Sequence, residues 1–592
     1  MANSFEALHV DPKMFKDTTP FTDEGQKLTL SWLNLSYKVK FGGGYKYLVQ
    51  DLSGIVRPGE TLAIMGPSGA GKTSLMNLLA NRIKSGVTEG EILVNGKARS
   101  KDFTFQASYV AQENLFLEIF SVRESLEFAA NLTMPSSSTK KEKEAKIDEV
   151  VKIMGLQSCE NTMVGGGFYR GLSGGQMKRL GIAVTLLSGA SILFLDEPTS
   201  KLDSAAAFNV VQTIQQLADQ GKTIVYSIHQ PSSEIYSMFN TLLILSQGKT
   251  VYYGSAADSV PYFSALGYDC PNFSNPADYF ISLVNGDFKN NGDVAEFISG
   301  YEDSAQKKAI EQIVAKEKEE ALPLEPLGDT RAGFPRQLFW LLRRNAKNTA
   351  LNPRVFRVRL GMYVGFSLLL SYLFSSDDRS DIDDSSIAAL FFMLLFFFGL
   401  QTMAALPFFL LLRPVFVRER SNGMYGVLPF HLANFIGTLP ILLVCSSVAT
   451  TIIYNIIGLY TNFFWFWLTV FSLLLVSESV MHVLSALTAQ FVIAITFASA
   501  YVLLNMLTAG YIVPRGDMLI IFQAGYYSSY FSYCFKNFLY SEFHDHNATE
   551  LLESYEADDI DRAQYIGIIL GFAGGFQVLF FLLLLFVHTG KM

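Results

Sequence analysis

The sequence predicts two folds in series, an α/β domain followed by an all-α domain of six membrane-spanning helices, and three observations carry that expectation. The first is the stretch Gly66-Pro67-Ser68-Gly69-Ala70-Gly71-Lys72-Thr73, set between the apolar run Leu62-Ala63-Ile64-Met65 and the helix-like run 74–79 that Ser74 opens. The second is composition: charged residues make up 17% of the 592, where about a quarter is usual in soluble domains. The third is distribution, because residues 1–330 alternate polar and apolar positions while long apolar runs dominate from Phe356 onward. At ~20 residues per crossing, those runs give spans at about 356–374, 386–412, 433–459, 463–487, 490–513 and 565–588.

A strand that breaks into a glycine loop and then a helix is what phosphate binding needs. Glycines let successive N–H groups curl around an anion, and the helix N-terminus adds partial positive charge. Lys72 is placed to reach the β- and γ-phosphates, and the Thr73 hydroxyl to take one position on Mg²⁺. Ahead of the loop, residues 28–39 largely alternate and read as a strand. Tyr37 on that strand is a candidate for stacking on an adenine ring; Tyr45 and Tyr47 are rivals, and a partly buried strand tyrosine is the alternative.

Further on, the apolar run Ile192-Leu193-Phe194-Leu195 delivers Asp196 and Glu197 at its end, where open α/β sheets bind ligands. Asp196 suits Mg²⁺, and Glu197 suits accepting a proton from the attacking water. The run 223–228 ends in His229, a candidate contact for the γ-phosphate or a packed strand-end residue.

The order of six motifs resembles the ATP-binding cassette: the phosphate loop, Gln112 after Tyr109-Val110-Ala111, Leu172-Ser173-Gly174-Gly175-Gln176, the two acids, Ser200-Lys201-Leu202-Asp203, and His229. The resemblance covers roughly residues 28–260 and implies an α/β P-loop cassette that uses ATP and Mg²⁺. It implies nucleotide contacts by Gly66, Ser68, Gly69, Gly71, Lys72, Thr73, Ser74, Gln112 and Asp203, and a share of the metal for Gln112 beside Thr73 and Asp196. In that family one subunit's signature caps the ATP held by another's phosphate loop, so Ser173, Gly174, Gly175 and Gln176 would act in trans. Tyr262-Phe263 through Pro271 and Asn275-Pro276-Ala277-Asp278-Tyr279-Phe280 resemble the segment closing the cassette in G-subfamily half transporters. The order cassette first, membrane domain second, agrees with that subfamily. Lys201 departs from the family pattern, which has glycine there.

The expected domains are a cytoplasmic cassette at 1–300, a charged linker at 301–333, a basic amphipathic connecting helix at 334–355 and the membrane domain at 356–592. Arg354, Arg357 and Arg359 before the first span and Arg413, Arg418 and Arg420 in the second loop mark the cytoplasmic side, against a first loop, 377–384, that is mostly aspartate. Both termini are then cytoplasmic, with the plasma membrane favoured over an internal one. Glu419 and Arg420 are candidates for coupling to the cassette or simply membrane-proximal charges. Glu478 and His482 lie about one turn apart in the fourth span, where a structural hydrogen-bonded pair and a functional pair both fit. The phenylalanines 391, 392 and 396–398 read as packing or lipid-facing surface, and Gly510-Tyr511 falls where G-subfamily members narrow the outward path.

A net charge of −8 without a basic, aromatic-interleaved surface argues against nucleic-acid binding. Cys159, Cys270, Cys445 and Cys534 have no metal or disulfide spacing, and residues 1–16 lack a signal-peptide core. The expectation is ATP-driven export of an amphipathic, lipid-like or xenobiotic molecule by a homodimer or heterodimer of half transporters. The alternatives are an ATP-gated channel or receptor, and a soluble cassette ATPase, which the spans oppose. The topology also predicts glycosylation: of the sequons at Asn34, Asn131, Asn272 and Asn547, only Asn547 faces outward. A glycosidase-sensitive mass shift should disappear with Asn547→Gln; one that survives reverses the orientation.

Overall fold

A computed structural model describes residues 26–100, 103–113, 115–166, 170–285, 294–321, 332–351, 353–376, 382–545 and 549–589. Residues 1–16, the aspartates 377, 378 and 381, and the sequon at Asn547 lie outside the described residues. The chain divides into two compact units, Met1–Ala332 with Ser421–Met424 and Gly590–Met592, and Gly333–Arg420 with Tyr425–Thr589.

The first unit carries ten strands among its described residues: β1 (Leu30–Phe41), β2 (Gly44–Val56), β3 (Thr61–Met65), β4 (Val87–Val94), β5 (Lys97–Ala98), β6 (Ala107–Val110), β7 (Ile192–Leu195), β8 (Thr223–Ser227), β9 (Thr241–Ser246) and β10 (Lys249–Ser255). They form an antiparallel sheet in the order β2-β1-β4-β5 and a six-stranded sheet in the order β10-β9-β3-β8-β7-β6. In the larger sheet β9, β3, β8, β7 and β6 are parallel and β10 is antiparallel. The unbroken apolar runs of β3 and β7 have the pattern of strands covered on both faces, and every residue of both is buried. Helix α1 (Lys72–Leu79) follows the glycine loop, α2 (Gly174–Leu186) begins within the stretch Leu172–Gln176, and α3 (Ser204–Asp219) follows Ser200-Lys201-Leu202-Asp203.

Two segments read mainly from composition turn out to be packed. The stretch resembling the subfamily's closing segment forms an aromatic core in which Phe263 and Phe280 stack with centroids 4.3 Å apart. The charged stretch 301–321, expected as a solvated linker, contains the helix Ala305–Glu319, whose Ile310 and Val314 join the core beneath the antiparallel sheet. Lys307 pairs with Asp51 at 2.7 Å and Lys318 with Glu91 at 2.6 Å on the outside.

The second unit is helical: α4 (Phe334–Leu351), α5 (Pro353–Leu373), α6 (Asp384–Gln401), α7 (Leu406–Ser421), α8 (Val427–Ile457), α9 (Phe463–Leu487), α10 (Phe491–Leu507), α11 (Ile520–Ser528), α12 (Tyr530–Phe543) and α13 (Arg562–Phe586). Among the described residues, four stretches are long and apolar enough to cross a membrane: Asp384–Ser421, Val427–Ile457, Phe463–Leu487 and Arg562–Phe586. The other two expected spans are helices too, but α5 carries Arg357 and Arg359, and α10 is shorter than the stretch 490–513 expected for it. The second span is broken by a 3₁₀ turn, Thr402–Ala405, between α6 and α7. The segment between the fifth and sixth expected spans holds α11 and α12. In α12, Phe531, Phe535, Phe538 and Leu539 share one face and are buried in the bundle core.

The intramembrane charges are arranged differently from the expectation. Glu478 does not pair with His482. It accepts from Arg359 of α5, Nη1 to Oε1 at 3.1 Å with a second, parallel bond from Nη2 to Oε2. His482 meets the Gln577 amide of α13 at 3.3 Å. Arg359, read from the sequence as a topology marker, is therefore a buried ion-pair partner. Glu478, Arg359 and His482 border a cavity of about 40 Å³ together with Asn345 and Asn434, room for about three waters.

The connecting helix α4 also turns a polar face inward. Gln337, Leu341, Arg344, Asn345 and Asn348 are buried while Phe339 is exposed, and Arg344 donates to Glu419 at 2.7 Å. The phenylalanines 391, 392 and 398 are core residues. Tyr511 stacks on Phe392 at 4.5 Å, just beyond Gly510 at φ 94.

Candidate functional site

The site grows from the ends of β3, β7 and β8, neighbours in the larger sheet. β3 runs into the glycine loop, and Gly71 caps α1 at φ 101. Two glycines there are fixed by both conformation and space. A Cβ on Gly66 (φ 149) would stand 2.3 Å from the Leu245 carbonyl oxygen, and one on Gly71 would stand 2.7 Å from that of Leu48. Ser68 and Gly69 lie in the loop, and Thr73 and Ser74 in the first turn of α1, with Thr73 exposed. Lys72 is buried and donates to the carbonyls of Gly66 at 2.7 Å and Pro67 at 2.9 Å, which folds the loop around its ammonium. Burial lowers its pKa, and Glu197 and Asp196 pull the other way.

β7 delivers the two acids as expected. Asp196 is buried, and both its oxygens are held: Oδ1 accepts from the Ser227 hydroxyl at 2.7 Å, Oδ2 from the Tyr109 hydroxyl at 3.0 Å. Glu197 sits at φ 45, a strained backbone for a residue with a side chain. Its N–H donates to Ser227 Oγ at 2.9 Å, and its Oε2 accepts from the Gln112 amide at 2.5 Å. Gln112 is thus brought to the acids, with its amide nitrogen committed and its carbonyl oxygen left as a hard ligand. His229 is exposed just past the end of β8.

No group of three or more His, Cys, Asp or Glu among the described residues is arranged for a metal. Mg²⁺ binds through one or two carboxylates plus substrate phosphates and waters rather than in an all-protein cage. The Thr73 hydroxyl, the Gln112 carbonyl and Asp196 are oxygen donors of the right kind.

The signature stretch is the start of α2. Ser173 caps it, accepting from the Gln176 N–H at 3.3 Å, and the Gln176 side chain accepts from the Ser173 N–H at 2.9 Å. Ser173 and Gly174 are exposed and Gly175 is buried. Asp203 accepts from the Ala206 N–H at 2.7 Å and so caps α3. One expected residue is displaced from its role: the Tyr37 ring is buried and its hydroxyl donates to the Ser85 carbonyl at 2.7 Å, whereas Tyr45 and Tyr47 are exposed.

Lys201 stands at φ 64, the left-handed region in which glycine is free and a side chain costs roughly 1–2 kcal/mol. The glycine of the family pattern therefore has a local physical reason here, and the lysine is exposed. Lys201→Gly is expected to raise the maximal ATPase rate, by up to about fivefold if roughly 1 kcal/mol of strain opposes the cycle. A gain that ignores salt identifies the backbone; one that shrinks with salt identifies the charge; an unchanged rate removes Lys201 from the cycle.

Sequence reasoning missed several residues. Ser227 and Tyr109, which hold Asp196, read only as strand residues. Lys178 of α2 is buried and donates to the backbone carbonyls of Gln112 and Glu197; its place on the inward face of the helix, three residues after Gly175, was the available signal. Glu419 and Arg420, the coupling candidates, are used inside the second unit. Glu419 accepts from Arg344 and from the Tyr425 hydroxyl at 2.5 Å, and Arg420 donates to the carbonyls of Leu584 at 2.6 Å and His588 at 2.7 Å. The residues that follow, Ser421–Met424, belong to the first unit. There Ser421 Oγ accepts from Arg82 at 2.6 Å, Asn422 donates to the Tyr109 carbonyl at 3.1 Å, and Arg82 lies 4.3 Å over the Tyr109 ring.

Residues 49–200 match a family model described as ABC transporter, and residues 229–299 and 336–543 match two described as ABC-2 type transporter. The chain is 32% identical to ABC transporter G family member 1 of Petunia hybrida, over 93% of this chain and 90% of that one. It is 32% identical to ABC transporter G family member 13 of Arabidopsis thaliana, over 86% and 81%. To the broad substrate specificity ATP-binding cassette transporter ABCG2 of Bos taurus it is 31% identical, over 78% and 75%.

Proposed function

The chain belongs to the G family of ABC transporters, and from that premise we propose that it exports an amphipathic, lipid-like or xenobiotic molecule as a dimer of half transporters. It is an ATP-hydrolysing membrane transporter with one cassette and one membrane domain. One observation carries the dimeric reading: the chain has a phosphate-cradling loop at α1 and a separate exposed helix start at Ser173 and Gly174, each able to serve one side of a nucleotide. Two chains, identical or related, then make two whole sites.

In each site Lys72 shifts from its own loop carbonyls to the β- and γ-phosphate oxygens, and Glu197 takes the proton of the attacking water. Thr73, Asp196 and the Gln112 carbonyl would hold Mg²⁺, which supplies charge neutralisation at the transferring phosphoryl group. His229, exposed beyond β8, reads the γ-phosphate. The loop Ser421–Met424 relays cassette motion to the helices, a reading supported by its bonds to Arg82 and Tyr109. The name of the Bos taurus relative, a broad substrate specificity transporter, supports a range of substrates. Both termini and the cassette are cytoplasmic, in the plasma membrane.

Inside-out vesicles carrying the chain should concentrate a fluorescent amphipathic dye when given ATP, and Glu197→Gln vesicles should not. Dye that equilibrates with ATP but never accumulates, without sustained hydrolysis, identifies an ATP-gated channel instead.

A further inference from the structure

Lys178 stands on the second turn of α2 and is 6% exposed, a costly place for an ammonium unless oxygens surround it. Its Nζ donates to the Gln112 backbone carbonyl at 2.5 Å and lies 3.4 Å from the Glu197 backbone carbonyl. Those two residues are themselves joined by the Gln112 amide on the Glu197 carboxylate. One side chain from the signature helix therefore closes a ring that includes both the backbone and, through Gln112, the carboxylate of the hydrolytic acid. The same helix touches this corner a second time at its start, where a Cβ on Gly174 would stand 3.1 Å from Leu202 Cδ2 and 3.7 Å from the Lys201 carbonyl oxygen. The capping box of Ser173 and Gln176 makes that first turn rigid. Nothing in the hydrolytic chemistry described above uses this ammonium.

We propose that Lys178 is a positioning residue that ties the helix capping one ATP to the glutamate that hydrolyses the other. The inference rests on the dimeric reading, in which the first turn of α2 serves the partner subunit's nucleotide. When that turn is drawn onto the partner's phosphates, the helix carries Lys178 with it. Lys178 then resets the Glu197 carbonyl and Gln112 in its own site. Each site becomes competent only as the other closes, which is positive cooperativity in ATP. If the buried lysine merely filled space, replacing it would leave the cooperativity as it is.

The test is the ATPase rate of the full-length protein in lipid nanodiscs, titrated with ATP at saturating Mg²⁺. The wild type should give a Hill coefficient well above 1, bounded by its two sites. Lys178→Met keeps the length of the side chain and removes its donors. It is expected to bring the coefficient to about 1 and lower kcat about tenfold, with half-saturation changed less than about twofold. Lys178→Arg, which offers donors to both carbonyls, should restore the coefficient and most of the rate. A thermal midpoint measured on each variant separates this from simple destabilisation, which lowers rate and midpoint together and leaves the coefficient alone. The inference is overturned by a wild-type coefficient in Lys178→Met, by a coefficient of 1 in the wild-type dimer, or by failure of Lys178→Arg to restore it. Light scattering of Glu197→Gln with ATP distinguishes the two levels. A monomer there fails the dimeric reading itself; a dimer whose cooperativity ignores Lys178 fails only this inference.

Discussion

Glu197→Gln is expected to bind ATP as the wild type does and to release phosphate about 10²–10⁴-fold more slowly, the contribution usual for a positioned general base. The substitution preserves shape and the hydrogen-bond contact with Gln112, which lies 2.5 Å away. It also preserves the backbone bond from the residue 197 N–H to Ser227 Oγ, so the strained turn at φ 45 keeps its supports. What it removes is the second acceptor oxygen, the one not engaged by Gln112, and with it the place for a proton from water. Lys72, Asp196 and the glycine loop are untouched, so nucleotide affinity should stay within about twofold. Nucleotide binding and phosphate release measured on one preparation check this. Release near the wild-type rate would move the base elsewhere, and a parallel loss of binding would mean that Glu197 supports the loop rather than the chemistry.

The parts of this site that are legible in the sequence are those fixed by short-range rules. A buried strand, a loop that tolerates only glycine at Gly66 and Gly71, and a helix start are contiguous, so spacing alone locates Lys72 and Thr73. β7 ends in two acids for the same reason. The residues that elude reading are those whose partners are remote. Arg359 and Glu478 are 119 positions apart, and the sequence near Glu478 offers His482 as the nearer partner; helical spacing makes that contact possible without making it form. Glu419 and Arg420 look like free membrane-proximal charges because nothing local announces Arg344 or the carbonyl end of α13. Tyr37 alternates correctly for a strand, but which face of β1 is covered depends on packing that periodicity does not contain. In α12 the serine, tyrosine and lysine content of 530–543 masks a helix whose apolar face needs the whole bundle to bury it.

Glu478→Gln should destabilise the membrane unit by about 3–5 kcal/mol, the cost of leaving one member of a buried ion pair without its counter-charge. Both side chains are almost wholly buried, at 5% and 3% exposure, so solvent screening offers little relief. The glutamine can still accept one hydrogen bond from the guanidinium, but it cannot neutralise it. Arg359 Nε has no hydrogen-bond partner among the described residues to compensate, and the neighbouring cavity of about 40 Å³ admits only about three waters. His482 is engaged with Gln577 and brings no negative charge. The thermal midpoint of the detergent-solubilised protein should fall on the order of 10 °C for a unit of this size. Replacing both partners, Arg359→Met with Glu478→Leu, removes the orphaned charge and should recover most of the loss. If the double variant folds but loses dye-stimulated ATPase while keeping its unstimulated rate, the pair serves the transport path as well as the packing of α5 on α9. A Glu478→Gln protein with an unchanged midpoint would show that this ion pair contributes no stability to the unit.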